Sequence, residues 1–227
     1  SYSGNEFNLG DQTLNLSGGG IFTNTENITL DDPGSTLQLN GISEVKKVSV
    51  SAEMDTGKLK ISENSTIETL DLSGYSLVDI NNEKVLTITN AFEIPQNKSL
   101  EIVGSGGGEL SLGGKLTISG TLKSSASGTT LGGEIVALKG GNVEITENTE
   151  ISSSFVNEAS SEIKVSSDKT LSYSGDSFDL GLIPLTLTGG GIISNSTDFG
   201  LSNPASVLNL AGINEINKVS FPVSLQT

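Results

Sequence analysis

Residues 1–50 read SYSGNEFNLGDQTLNLSGGGIFTNTENITLDDPGSTLQLNGISEVKKVSV, and residues 172–221 read SYSGDSFDLGLIPLTLTGGGIISNSTDFGLSNPASVLNLAGINEINKVSF. The two stretches align without a gap at an offset of 171, and about half of the paired positions are identical. Self-similarity at a fixed period is the signature of repeat architectures. The 227-residue chain therefore holds one full long-period repeat, 1–171, and the start of a second copy, 172–227, continuous with the first. What recurs is apolar or glycine: Phe7 with Phe178, Leu14 with Leu185, Leu16 with Leu187, Gly4 with Gly175, and the triplet at 18–20 with that at 189–191. Polar positions drift, as Glu6 against Ser177 and Gln12 against Ile183 show.

Inside the long period runs a shorter one. Doublets such as Leu14-x-Leu16, Ile28-x-Leu30, Leu37-x-Leu39, Leu59-x-Ile61, Leu100-x-Ile102, Val143-x-Ile145, Ile163-x-Val165 and Leu185-x-Leu187 alternate with period two. That is the mark of strands with one buried face. Gly, Asn, Asp and Ser punctuate them at short intervals. No stretch keeps a helical period; the nearest, around 52–60, is too weak.

Many short strands leave a β-sandwich or a β-solenoid. A sandwich needs hairpin turns of Asn-Gly or Asp-Gly type, and Asn40-Gly41 is the sole Asn-Gly, with no Asp-Gly. A sandwich core about 10 Å thick also favours large aromatics, which make up 4% of this chain. A solenoid interior is filled by stacked Leu, Ile and Val. The expected fold is all-β: a parallel β-helix of about ten coils, three short strands per coil and roughly 20–24 residues per coil, at a rise of about 4.8 Å. One period then makes about eight coils.

Composition removes much chemistry. With no Cys and no His, there is no thiolate nucleophile, no disulfide, no Ser-His-Asp triad and no ordinary zinc centre. All twelve basic residues are lysine, so no bidentate guanidinium is available for phosphate or carboxylate. A formal net charge of −15 repels nucleic acid. The chain opens on Ser-Tyr-Ser-Gly with no initiator Met, signal peptide or apolar membrane span, and reads as a processed or excised piece of something longer. Membrane insertion of this segment is not expected.

Each candidate site has a plainer structural reading. Asp31-Asp32 offers half of an acid/base pair, but Asp-Asp-Pro-Gly is also a turn, and the second copy has Ser202-Asn203 before Pro204. The triplets Gly18-Gly19-Gly20, Gly106-Gly107-Gly108 and Gly189-Gly190-Gly191 lack the following helix and Lys-Ser/Thr of a phosphate loop; tight corners explain them. Neither a calcium-roll nonapeptide nor an EF-hand loop is present. Sequons at Asn27, Asn64, Asn97 and Asn195 are what a chain rich in Asn, Ser and Thr gives by chance. Thr87-x-Thr89 and Thr186-x-Thr188 are isolated doublets, too few for the flat Thr ranks of an ice-binding face. Tyr2, Tyr75 and Tyr173 offer rings to sugars, although Tyr2 and Tyr173 are one site in two copies, which favours a packing role. No catalytic, cofactor-binding or metal-binding residue emerges.

The Leu/Ile/Val doublets, Gly-Gly-Gly corners, Ser-Tyr-Ser-Gly starts and lack of Cys together resemble the passenger and stalk regions of bacterial surface proteins, namely autotransporters and filamentous-haemagglutinin-like adhesins. The resemblance implies an extracellular, cell-surface β-helix. Pectate lyases and polygalacturonases share that fold but depend on arginine, histidine and clustered aspartates; this chain lacks the first two. The expectation is a structural, non-catalytic stalk or filament module that meets other copies or adjacent repeats end to end. One alternative is a lateral face that binds a glycan or host protein, with 83–92 and 124–133 as the least regular stretches. Another is a carbohydrate-active enzyme using carboxylates alone.

Overall fold

A computed structural model describes residues 1–52, 57–201, 203 and 205–220. Among them there is no helix, and every paired strand is parallel to its neighbours. The chain winds as a β-solenoid of three faces. One coil shows the pattern: Ser99–Val103 lies on the first face, Glu109–Leu112 on the second and Leu116–Ile118 on the third, before Thr121–Ser124 returns to the first. The first face has ten strands, beginning at Thr13–Ser17 and ending at Leu208–Ala211, and the whole makes about nine turns rather than ten. Coil length follows from the register, from 19 residues where Leu59 meets Val78 to 24 where Ile163 meets Leu187.

Alternation builds this because each doublet sends two aliphatic side chains inward. Leu37, Leu39, Leu59, Ile61, Leu100, Val143, Ile163, Leu185 and Leu187 are all essentially inaccessible to water. In the first face Leu14, Leu37, Leu59 and Val78 form one column up the axis, residue over residue. Burying one such side chain is worth about 1.5–3 kcal/mol, and each coil gains it only from the coils above and below.

Faces two and three are not separate everywhere. Glu44–Val50 and Ser65–Leu72 run unbroken around the corner between them. Later coils break at that corner: 85–88 and 92–94 are separate strands. The second sheet consequently has twelve strands and the third seven.

The sequence offset is also a structural offset. Phe7 pairs with Ile28 as Phe178 pairs with Phe199, Leu14 with Leu37 as Leu185 with Leu208, and Ile21 with Glu44 as Ile192 with Glu215. On the first face Thr13–Ser17 and Leu185–Thr188 are eight steps apart, so one period is eight coils.

Candidate functional site

Asp31 and Asp32 sit in a turn. Asn8 Nδ2 donates to Asp31 Oδ2 (2.5 Å), Gly34 N donates to Asp32 Oδ1 (3.3 Å), and Ser35 N donates to Asp32 O (2.9 Å). The second copy keeps the geometry with an amide in place of the carboxylate: Ala205 N donates to Asn203 Oδ1 (3.0 Å) and Ser206 N to Asn203 O (2.9 Å). Ser202 and Pro204 themselves lie outside the described residues. The glycine triplets turn corners and use their amides on neighbouring coils. Gly19 N donates to Gly41 O (2.6 Å), Gly107 N to Ser127 O (3.0 Å) and Gly191 N to Val165 O (3.0 Å).

The remaining candidates are dispersed along the rod. Asn195 is buried, its amide donating to Thr197 O (2.9 Å) and Lys218 O (2.6 Å). Asn64 Oδ1 accepts from Val85 N, and Asn97 holds a left-handed turn position at φ 62°. Thr87 stands between Thr66 and Ser111, Thr186 between Glu162 and Asn209, and Thr188 beside Lys164, so no Thr rank forms. Tyr75 is half-exposed, but Lys98 Nζ lies 5.6 Å from its ring centroid. Tyr173 is 1% exposed. Stretches 83–92 and 124–133 are ordinary coils containing the strands Val85–Ile88 and Thr129–Gly133. In the second stretch alternation is hidden because Ser124 and Thr129 point small hydroxyls inward, where Ser124 Oγ bonds Thr149 Oγ1 and Thr129 Oγ1 donates to Ala126 O.

Sequence reasoning missed two polar devices. The first is a column of alternating charge on the outer first face: Glu101, Lys123, Glu144 and Lys164 stand in register on four successive coils. Lys123 Nζ is 2.9 Å from Glu101 Oε1. Burial raises the Glu101 carboxyl, but hydrogen bonds from Ser125 and Lys123 outweigh it and hold its pKa below the ordinary value. Such pairs are worth little each, yet a one-coil slip would set like charges together. The spacing of about one coil was the available signal. The second device is the corner lysine. Glu83, Asn97 and Asp168 take positive φ, and the lysine after each reaches back one coil: Lys84 to Glu63 (2.8 Å), Lys98 to the Tyr75 ring and Lys169 to Glu147 (2.7 Å).

One open groove of about 390 Å³ is lined by Asp176, Asp179, Asp198, Thr197 and Phe178. It offers acceptors with no lysine among its lining residues. Among the described residues no group of three or more acidic side chains is placed to hold a metal ion, and no helix is long and apolar enough to cross a membrane.

Exposed apolar side chains occur at both ends and also between them, at Tyr75, Ile135 and Leu182. Ile21 is 57% exposed in the first coil and Leu210 57% in the last, while Leu39, the counterpart of Leu210, is at 0% beneath Ile61. Among the described residues the outermost strand of each sheet also has one unpaired edge, a template for adding another strand. Comparison with protein-family models, with curated proteins and with solved structures finds no match for this chain.

Proposed function

We propose that the chain is a structural, non-catalytic module of an extracellular surface protein, a stiff spacer whose product is length, stacked end to end with further repeats. The observation that supports this most is the recurrence of strand register at 171 residues, because a period that closes on whole coils lets the same unit be added without a break. Eight coils at about 4.8 Å give about 40 Å per unit. Side-chain contacts are spent on neighbouring coils, and the acidic charge keeps parallel rods apart in solution. The cell-surface placement rests on the resemblance in sequence texture.

The glycan-binding alternative loses two of its three tyrosines: Tyr173 is buried and Tyr2 packs on Phe7 at 5.4 Å between ring centroids, while Tyr75 stays half-exposed with Lys98 Nζ 5.6 Å from its ring centroid. Electron microscopy of an array of several units tests the spacer reading. Straight rods with regular modulation near 40 Å are expected; beads bent at flexible joints overturn it. Reducing-sugar release from a polysaccharide panel would overturn the non-catalytic part.

A further inference from the structure

The two copies occupy different places in the rod, so each shows what the other lacks. In the second copy the strands at 170–188 rest on the coil built from Thr149–Ile151, Phe155–Ala159 and Ser161–Val165. Tyr173 stands over Ile151, Phe178 over Phe155 and Leu187 over Ile163, and all three are buried. In the first copy Tyr2, Phe7 and Leu16 keep the same identities with no coil beneath them among the described residues, and all are only half-buried.

Glycine gives a second, independent observation. Gly191 is closed in from below: a Cβ there would overlap the Val165 side chain and the Ser166 and Lys169 carbonyl oxygens. Gly20, its counterpart, does not have positive φ, and a Cβ there would meet nothing within 4 Å. Neither conformation nor contact within this chain requires glycine at position 20. A coil resembling 149–169 beneath it would. Gly4 repeats the pattern: a Cβ there would touch only the Tyr2 ring, whereas at Gly175 it would also overlap Ser153 O.

We propose that the underside of the first coil is a docking surface for one occupant, the coil 149–171 of another copy of the 171-residue unit. Units then join only in phase, residue 1 taking the place that residue 172 holds here. This rests on the spacer reading and adds the partner surface and its register. Two whole chains meeting tip to tail present Leu208–Ala211 to Thr13–Ser17, and that is not the junction found between Ser161–Val165 and Leu185–Thr188.

Two tandem chains test it. The in-phase tandem is residues 1–171 followed directly by the whole chain; the out-of-phase tandem is the whole chain followed by itself. Each is made with and without Gly20→Ala in its second copy. In phase, the expected result is one unbroken rod by small-angle scattering and a Tm drop of about 5 °C from the substitution. Out of phase, a jointed particle and a drop of about 1 °C or less are expected. A silent Gly20→Ala in the in-phase chain, or equally straight rods from both tandems, overturns the proposal. If the single chain itself scatters as a globule, the spacer reading fails instead.

Discussion

Tyr2 and Tyr173 begin the same fifty-residue passage, with the same Gly two residues on and the same Phe five residues on. The tyrosine-to-phenylalanine edge contact is reproduced, at 5.4 Å in one copy and 5.3 Å in the other. Tyr173, however, is also packed against Phe155 and Phe199, donates its hydroxyl proton to Ser177 O and is shut away from water. Tyr2 lies at the open end of the stack and is only half-buried. Local sequence therefore sets the shape of a coil, while its neighbours set how much each side chain contributes. In a stack whose units touch only the adjacent coil, a residue gains weight from whichever neighbour its side chain faces.

The comparison can be broken most forcefully at a core leucine. Leu187→Ala leaves a hole between Ile163 and Leu210 in the column and is expected to cost about 3 kcal/mol. Leu16→Ala, half-exposed already, is expected to cost about 1 kcal/mol. Urea midpoints of the two variants, read with the same probe, should differ clearly; equal midpoints would mean that the first coil is covered in solution.

Glycine sharpens the contrast at the next level. Gly175→Ala collides with the Ser153 backbone and a caged Tyr173 hydroxyl, for an expected loss of about 2 kcal/mol. Gly4→Ala meets only the Tyr2 ring, which has room to swing at the rod end, and should cost about 0.5 kcal/mol or less. Thermal melts of the pair give the difference directly.

Tyr173 makes a prediction in pH. Its phenol is pushed up to about 12, chiefly by burial, with the backbone hydrogen bond at Phe155 pulling the other way and Asp176 adding to the rise. A folded pKa above the unfolded value of about 10 means the stabilising difference is intact below pH 10. It is then lost as pH climbs from 10 through 12. Wild type should lose more stability across that window than Tyr173→Phe, measured as urea midpoints in matched buffers. Parallel curves would contradict the burial.

The smallest expected effect reverses the ranking of the copies. Asn24 and Asn195 are both buried and look upward, their amides donating to Lys47 O and Lys218 O and their Oδ1 atoms accepting amide protons of the next coil. For this residue the first copy has the full stack above it. Asn24→Ala should therefore cost about 2 kcal/mol and Asn195→Ala about 1 kcal/mol. Hydrogen exchange at Lys47 and Lys218 would report each separately.

Much of this was legible in the chain. Doublets such as Leu37-x-Leu39 and Ile163-x-Val165 lie in strands with their aliphatic residues inward. The solenoid followed from counting them. Coils such as Tyr75–Ile80 and Phe155–Ala159 were harder to see, because Ser76 and Asn157 face inward and interrupt the apolar alternation. Asn157 Nδ2 donates to Ile183 O at 2.8 Å, whereas Asn157 Oδ1 and Ser76 Oγ are buried without a hydrogen-bond partner among the described residues. The ion ladder and the corner lysines escaped because they depend on register, which varies from coil to coil. Asn24 and Asn195 are identical positions of the two copies that the emphasis on apolar residues and glycines passed over, and the wound chain shows that they fasten one coil to the next.

The direction of the hydrogen bonds has a mechanical consequence. In this stack they join successive coils and so lie along the rod. A force applied at the two ends pulls on those bonds lengthwise, and the outermost coil carries the fewest contacts. It opens first, while the rest stay wound. A coil of 22 residues, such as that between Leu37 and Leu59, changes from a rise of about 4.8 Å to about 75 Å of extended chain. A rod held this way is expected to lengthen coil by coil under tension, which single-molecule pulling would read as discrete steps.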